Sequence, residues 1–197
     1  MKRLVLASNN EGKIREIRAI LAPLGIEVVP QDHYGVPEAE EPHGTFIEHA
    51  LAKARHAAAA TGLPALADDS GICVDALDGA PGVFSARFAG DPKSDQRNND
   101  RLLELMNQHD DRKAHYYCVM VLLRHAHDPQ PLIAEGDWHG EIVREPRGAG
   151  GFGYDPLFLD LRLGKTGAEL PTEEKNRVSH RGKALAALVE KLRARQA

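Results

Sequence analysis

A chain of 197 residues is long enough to bury a sizeable apolar core without support from disulfides or metal ions. Its 25 Lys and Arg residues against 29 Asp and Glu residues give a formal net charge of −4, which argues against a generally basic nucleic-acid-binding protein. Charged residues at 27% and apolar residues at 42% are typical of a globular protein, not of a disordered or membrane-embedded one. We therefore expect a single domain over residues 1–197.

Three further features favour a cytoplasmic protein with no membrane partner. Apolar runs such as residues 118–123 are far shorter than the roughly 18 residues that a membrane span requires. The apolar stretch at the N-terminus is interrupted by Asn9 and Asn10, so it does not resemble a signal peptide. The two cysteines, Cys73 and Cys118, form no CxxC motif, which argues against a disulfide framework or a zinc site.

The hydrophobic pattern alternates between strand and helix early in the chain and then predicts a run of strands. This order favours an α/β fold around a mixed sheet. In chain order, the predicted elements are a strand over 2–7, a helix that ends before Gly25, a strand over 27–30, a helix from the capping box at Thr45–Glu48 to Gly62, short strands over 65–67 and 72–76, a helix over 95–107, strands over 115–123, 132–138 and 140–143, and a helix over 179–195.

The first candidate site lies between the first strand and the first helix. Small polar residues before a helix expose backbone N–H groups at the positive end of the helix dipole, which favours a phosphate. Ile14 stands where the metal-binding Ser or Thr of a Walker A loop belongs, so carboxylates elsewhere must hold any metal. The alternative is a capped helix with a solvated lysine. The segment is Ser8, Asn9, Asn10, Glu11, Gly12 and Lys13.

Two acidic stretches could supply those carboxylates. Asp68 and Asp69 follow an apolar strand, and consecutive strand residues point to opposite faces, so we expect one to face the site and the other a structural partner. Glu40 and Glu41 lie in a loop before the Thr45 helix. Magnesium commonly takes one or two carboxylates together with water and substrate phosphates. The alternatives are a turn over 68–71 and a solvated charge run for the glutamates.

On the Ala-rich helix, His49 and Lys53 are four residues apart and share one face. A second phosphate-binding lysine is one hypothesis for this face, and a solvated surface is the other.

Residues 147–156 hold two of the ten aromatic residues beside four glycines. Glycines permit close backbone approach and an aromatic ring can stack on a nucleobase, so this segment predicts base binding, with a core turn as the alternative.

The last candidate combines Lys175 with His180 and Arg181 at the start of the final helix. All three can donate hydrogen bonds, and a cluster of donors suits an acceptor such as a purine 6-oxo group better than the amino group of adenine. The alternative is a capped helix with a solvated basic first turn. No covalent nucleophile is indicated, because the chain has no Gly-x-Ser-x-Gly elbow.

Taken together, six motifs in register resemble the inosine triphosphate pyrophosphatase family, the non-canonical purine NTP pyrophosphatases. The resemblance runs from about residue 4 to the final helix. The motifs are Ser8-Asn9-Asn10-x-Gly12-Lys13, Glu40-Glu41 with Gly44-Thr45-Phe46, Ala67-Asp68-Asp69-Ser70-Gly71, the segment from Gly79 to Arg87, Gly151-Phe152-Gly153-Tyr154-Asp155-Pro156, and Ser179-His180-Arg181.

The resemblance implies a Mg²⁺-dependent hydrolase that converts ITP, dITP or XTP to the monophosphate and pyrophosphate. It also implies a homodimer and an elongated two-lobed α/β fold with a central nucleotide-binding cleft around the mixed sheet. The family commonly has Asn where this chain has His49, which places a titratable group near the implied metal site.

The resemblance also assigns roles to individual residues. Asp69 is implied as the general base or the metal ligand that orients water, and Glu40 or Glu41 as a further metal ligand. Phe152 is implied to stack on the base. Ser8 to Lys13 are implied to cradle the triphosphate, Lys53 to face the phosphates and Ser70 to contact the substrate. The residues implied to surround and read the base are Gly153, Tyr154, Asp155, Lys175, His180 and Arg181.

Three alternatives stay open at this point. A house-cleaning pyrophosphatase with a broader range of altered nucleotides would use the same residues. A non-catalytic purine nucleotide sensor would bind without hydrolysis. A nucleic-acid-binding protein that uses Lys13, Lys175 and Arg181 is disfavoured by the net charge of −4.

Overall fold

The structure is a computed structural model and describes residues 2–195. Its strands form one mixed, open sheet in the order β2-β1-β3-β4-β5-β6-β7. The strands are β1 (Arg3–Leu6), β2 (Glu27–Pro30), β3 (Ala65–Val74), β4 (Lys113–Leu123), β5 (Leu132–Ile142), β6 (Phe158–Asp160) and β7 (Lys165–Thr166). The helices are α1 (Glu11–Leu21), α2 (Phe46–Thr61), α3 (Asp95–Met106), α4 (Thr172–Val178) and α5 (His180–Ala194). The mixed α/β class is confirmed.

The sheet combines parallel and antiparallel pairs. β1 is parallel to both β2 and β3, and β6 is antiparallel to both β5 and β7. β1 reaches β2 through α1, and the apolar positions Ile17 and Leu21 of that helix are fully buried. This strand–helix–strand arrangement leaves the N-terminus of α1 beside the carboxyl end of β1, where the first candidate site lies.

The described residues divide into two compact units. The first comprises residues up to Asp69 with 118–136 and 182 onward, and its core includes Leu6, Leu66, Met120 and Leu185. The second comprises 70–117 and 137–181, and its core includes Ile72, Met106, Trp138 and Phe158. The expected single-domain organisation stays a prediction.

Several helix boundaries follow from local capping. Thr45 is the N-cap of α2. Its hydroxyl accepts the Glu48 N–H, as the capping box predicts, and also donates to the Glu48 carboxylate. Gly62 ends α2 with a φ of +67°, a left-handed conformation that glycine adopts without strain. Ser94 caps α3 by accepting the Arg97 N–H.

Two strand predictions are wrong. The two short strands expected over 65–67 and 72–76 are the single strand β3, and the Asp68-Asp69-Ser70-Gly71 turn does not form. Ion pairs on Asp68 and Asp69 hold these polar residues in extended backbone. The expected strands 132–138 and 140–143 are likewise the continuous β5, in which Gly140 makes no turn. A Cβ at Gly140 would lie 2.2 Å from the Leu159 carbonyl oxygen, so the glycine allows β6 to approach.

Three further elements, β6, β7 and α4, were not expected from the sequence. β6 and β7 contain three and two residues, which is too short for an alternating pattern to be recognised. α4 has seven residues and is highly charged, so it shows no apolar stripe.

Candidate active site

The segment from Ser8 to Lys13 connects β1 to α1 and opens the helix. The Asn10 side chain accepts the Lys13 N–H at 3.0 Å, and the Ser8 hydroxyl accepts the Asn10 N–H at 3.2 Å. Asn9, Asn10 and Glu11 are exposed, and Ser8, Gly12 and Lys13 are half-buried. The segment therefore has a capped helix N-terminus with polar side chains at the surface, as a phosphate site requires.

Lys13 and Asp68 form an ion pair in the first unit. Lys13 Nζ lies 3.0 Å from Asp68 Oδ2, and the Asp68 side chain is fully buried. Lys13, which the alternative interpretation described as solvated, is therefore held by a buried carboxylate on β3. The neighbouring Asp69 has different partners, Lys53 and His49 of α2. The partner of Asp68 is thus another candidate site residue and not a purely structural group.

Asp69 is the acceptor for two residues of α2. Lys53 Nζ donates to its Oδ1 at 2.7 Å, and His49 Nδ1 lies 3.2 Å from its Oδ2. Lys53 also donates to Glu41 Oε1 at 3.1 Å. Because His49 and Lys53 are four residues apart, one face of α2 presents both side chains to β3. The helix face that carries His49 and Lys53, for which the sequence left open a phosphate-binding lysine or a solvated surface, is therefore directed at Asp69.

The ammonium group of Lys53 is largely buried, which by itself lowers its pKa. The carboxylates of Asp69, Asp68 and Glu41 outweigh that effect and raise the pKa of Lys53 above its ordinary value. Lys53 is therefore positively charged at neutral pH.

Glu41, His49 and Asp69 could together hold a metal ion. Each offers one ligand atom, and these atoms lie within 4.8 Å of one another. His49 Nε2 is buried and has no hydrogen-bond partner among residues 2–195. The exposed Glu40, the other expected ligand, is not part of this group. The sequence analysis did not identify His49 as a metal donor, although its spacing from Lys53 placed it on the correct helix face.

A second group of candidate residues lies around Phe152 in the other unit. Lys175 Nζ lies 4.7 Å from the centroid of the Phe152 ring, and the Arg181 guanidinium carbon lies 5.6 Å from it. Asp155 Oδ2 accepts both the Phe152 N–H at 2.8 Å and a Lys175 donor at 2.6 Å. The structure therefore brings together an aromatic ring and two of the three predicted hydrogen-bond donors, Lys175 and Arg181.

Gly151 is required for the approach of Asp155. A Cβ at Gly151 would lie 2.0 Å from Asp155 Oδ2, and the residue has a φ of +72°. Any side chain here would therefore displace the carboxylate that holds Lys175.

His180 and Arg181 begin α5, immediately after α4. The His180 ring stacks on Tyr116 at 4.5 Å with an interplanar angle of 4°, and Arg181 donates to the Ser70 hydroxyl at 2.9 Å. Burial raises the pKa of Tyr116 well above its ordinary value, so the phenol is neutral. Tyr116 lies on a strand with an ordinary apolar pattern, and no motif in the sequence distinguished it from other core residues.

Tyr154 supports the loop formed by residues 147–156, called the Phe152 loop below, from inside the core. Its side chain is buried, and its hydroxyl donates to the Ser85 carbonyl at 2.7 Å. Burial also raises its pKa. The half-buried Gly153 follows Phe152 directly and has a φ of +62°. Of the residues expected around the base, Tyr154 therefore anchors the loop with its side chain.

These geometries define an α/β protein with two groups of candidate residues. The first is acidic, could hold a metal ion and lies beside the N-terminus of α1. The second places two cations near the Phe152 ring. A model of the Ham1 family matches residues 4–191, and the chain belongs to that family. No helix among residues 2–195 has the length and apolar character to cross a membrane.

Named relatives and solved structures are similar over nearly the full length. A dITP/XTP pyrophosphatase of Nitrosomonas europaea is 67% identical over 192 residues, which cover 98% of this chain and 95% of the relative. A dITP/XTP pyrophosphatase of Ralstonia nicotianae is 65% identical, with 98% of each chain covered. The structure of a HAM1 protein from Coxiella burnetii superposes with a TM-score of 0.92 at 48% identity and covers 98% of this chain and 100% of that one.

Proposed function

We propose that this protein hydrolyses non-canonical purine nucleoside triphosphates, namely ITP, dITP and XTP, to the monophosphate and pyrophosphate. The observation that carries the proposal is the position of Asp69, a nearly buried carboxylate held by Lys53 and His49 beside Glu41. Relatives with 65% and 67% identity are named dITP/XTP pyrophosphatases, which supports the same reaction in this chain.

In this proposal, residues 8–13 and Lys53 bind the triphosphate. The N-terminal N–H groups of α1 and the side chains of Ser8, Asn9 and Asn10 donate to phosphate oxygens. Lys13 and Lys53 supply positive charge. Both lysines are already paired with carboxylates, so their charges are compensated in the protein before phosphate binds.

The charge of this group supports a requirement for a divalent cation. Two lysines face three carboxylates, those of Asp68, Asp69 and Glu41, which leaves one negative charge in excess when His49 is neutral. Such a group repels a triphosphate unless a cation is added. Glu41 and Asp69 are the ligands that Mg²⁺ prefers, and one or two carboxylates are the usual number for a phosphate-bound Mg²⁺. When bound, Mg²⁺ would neutralise negative charge on the phosphates.

Asp69 orients and deprotonates the attacking water in this mechanism. The water oxygen attacks the α phosphorus, and its proton passes to the Asp69 carboxylate. The anhydride bond between the α and β phosphates breaks, and pyrophosphate leaves with the bond electrons. Lys53 holds Asp69 Oδ1 and His49 lies at Oδ2, so the carboxylate is oriented before substrate arrives.

Base recognition is assigned to the second group. Phe152 stacks on the purine, and the surrounding donors Lys175, His180 and Arg181 favour a base that presents an oxo group at position 6. A site whose donors are placed for an oxo group discriminates strongly against a base that presents an amino group there, because a donor would then face a donor. This supports selectivity for hypoxanthine and xanthine over adenine.

The proposal includes a homodimer and a cytoplasmic location. The first rests on the family resemblance and is tested by sedimentation equilibrium. The second rests on the proposed substrate and on the N-terminal sequence, which does not resemble a signal peptide.

Product analysis tests the proposed reaction. The protein is incubated with ITP, XTP, GTP or ATP, each with Mg²⁺ and with EDTA, and the products are separated by ion exchange. We expect monophosphate and pyrophosphate from ITP and XTP in the presence of Mg²⁺ only. Release of orthophosphate, or equal turnover of ATP, would contradict the proposal. Equal turnover of many altered nucleotides would support the broader pyrophosphatase instead.

A further inference from the structure

The Phe152 loop is held in place by side chains and not by a regular backbone ladder. The Phe152 N–H donates to Asp155 Oδ2, and the Gly153 N–H donates to Asp95 Oδ2 at 2.7 Å. The Gly153 carbonyl accepts the Asn99 side-chain amide at 3.0 Å. Both peptide units that flank the Gly153 Cα are therefore held by α3.

This arrangement matters because Gly153 has a left-handed φ of +62° and the wide conformational freedom of glycine. Without the two contacts from α3, rotation about the Gly153 backbone would move Phe152 relative to Lys175 and Arg181. Gly151, on the other side of Phe152, has a φ of +72°, so both neighbours of Phe152 along the chain are glycines in a left-handed conformation.

α3 is a suitable support because its own position is well fixed. Asn98 accepts the Ala89 N–H at 2.8 Å and donates to the Ala86 carbonyl at 3.1 Å, which ties the helix to the preceding loop. Leu102 and Met106 are fully buried in the core of the second unit. Asn99 is itself buried, with only 8% of its surface exposed.

We propose that Asp95 and Asn99 are positioning residues for base recognition, which hold Gly153 and thereby orient Phe152 toward the purine. This inference rests on the proposed function, since it assigns a purpose to the ring that the proposal places against the base. Neither residue belongs to the motifs that carry the family resemblance. They act through the backbone of the loop and do not themselves contact the substrate.

The experiment compares Asp95→Ala, Asp95→Asn and Asn99→Ala with the wild type in ITP hydrolysis. Loss of one of these hydrogen bonds should raise KM for ITP by about threefold to tenfold and change kcat by less than about twofold, since the phosphate site is untouched. Asp95→Asn keeps an oxygen acceptor for the Gly153 N–H and should restore most of the affinity. Gln96→Ala is the matched control, because Gln96 is exposed on α3 and donates only to Asp100 on its own helix.

A second measurement does not depend on activity. The hydrogen-exchange rate of the Gly153 amide, measured by NMR, should increase about tenfold or more in Asp95→Ala and stay unchanged in Gln96→Ala. Thermal unfolding midpoints identify any variant that is globally destabilised.

Each outcome bears on the proposal. Raised KM with faster Gly153 exchange, and recovery of both in Asp95→Asn, would support it. Faster exchange with an unchanged KM would overturn it, and so would equal defects in Asp95→Ala and Asp95→Asn, which would assign the effect to negative charge at the N-terminus of α3. If the wild type does not hydrolyse ITP, the proposed function fails, whereas the exchange data still report whether α3 holds the loop.

Discussion

Asp155 and Lys175 form a buried ion pair in the second unit, with 2.6 Å between Oδ2 and Nζ and side chains that are only 3% and 7% exposed. The same carboxylate oxygen accepts the Phe152 N–H, so one atom connects the stacking residue to a cation that faces its ring. The charge of Lys175 is therefore compensated in the protein, and the lysine is positioned without a substrate.

Breaking this pair from one side should destabilise the protein. Lys175→Met leaves the Asp155 carboxylate buried without its cation, and we expect a loss of about 3 kcal/mol in the free energy of unfolding. The double variant Asp155→Asn with Lys175→Met removes the uncompensated charge and should recover at least about 1 kcal/mol of that loss. Urea denaturation of the two single variants and the double variant measures the coupling. Additive losses would show that the two residues stabilise the fold independently.

Asp69→Asn separates an enzyme from a nucleotide sensor. The amide keeps the shape of the side chain but is a far weaker base, so kcat for ITP should fall by about 10²–10⁴-fold. Nucleotide binding, measured by calorimetry, should change much less, because Lys13 and the N-terminus of α1 remain. Wild-type turnover in this variant would refute the role of Asp69 as base or metal ligand.

Glu41 and its neighbour Glu40 offer a matched pair for the metal site. Glu41 lies within 4.8 Å of the donor atoms of His49 and Asp69, whereas Glu40 is exposed and outside that group. Glu41→Gln should weaken Mg²⁺ binding by about tenfold or more, and Glu40→Gln by less than about twofold. Calorimetric titration of the EDTA-treated protein with Mg²⁺ measures both values. A larger effect at Glu40 would show that the loop rearranges when metal binds.

Arg181 should contribute to base selectivity. It donates to Ser70 and lies near the Phe152 ring, where a 6-oxo group would find a charged donor. Arg181→Ala should lower kcat/KM for ITP by about tenfold or more and change the residual turnover of ATP by less than about threefold. Arg177→Ala, an exposed arginine on α4, is the control. Equal losses with ITP and ATP would assign Arg181 to phosphate binding or to folding.

Asp128 gives a pH-dependent stability prediction away from the site. Its carboxylate accepts from Arg124 Nε at 2.8 Å and from the N–H groups of Arg124 and Gln130 at 3.0 Å each. The side-chain hydrogen bond from Arg124 is the main cause that holds the pKa of Asp128 well below its ordinary value.

A carboxylate with a lowered folded-state pKa stabilises the protein above its unfolded pKa of about 3.9, and that stabilisation is lost as pH falls toward the folded value. Asp128→Asn should therefore have a lower unfolding midpoint than the wild type at pH 7, and the difference should shrink below about pH 4. Asp110→Asn is the control, since Asp110 is fully exposed and its contact with Arg144 is 3.7 Å long. A difference for Asp128→Asn that does not vary with pH would contradict the assignment.

The local pattern of the sequence was sufficient for most helices and for their ends. The Thr45–Glu48 capping box, Gly62 and the apolar spacing of Ile17 and Leu21 depend on contacts within a few residues, which a single sequence displays. The sequence also identified most of the candidate site residues, but it left a structural alternative open for each segment, such as a capped helix at 8–13 and a turn over 68–71.

The tertiary structure alone established which of these residues meet. Asp68-Asp69-Ser70-Gly71 has the composition of a turn, yet it is extended because Lys13, Lys53 and Arg181 hold its side chains from distant parts of the chain. For the same reason, the selection of Glu41 over Glu40 and the contact of His49 with Asp69 depend on the packing of α2 against β3. Asp95 and Asn99 were not identified for a similar reason, since they lie more than fifty residues from Gly153 and contact only its backbone. Local propensity reflects neighbours along the chain, whereas these contacts depend on three-dimensional distance.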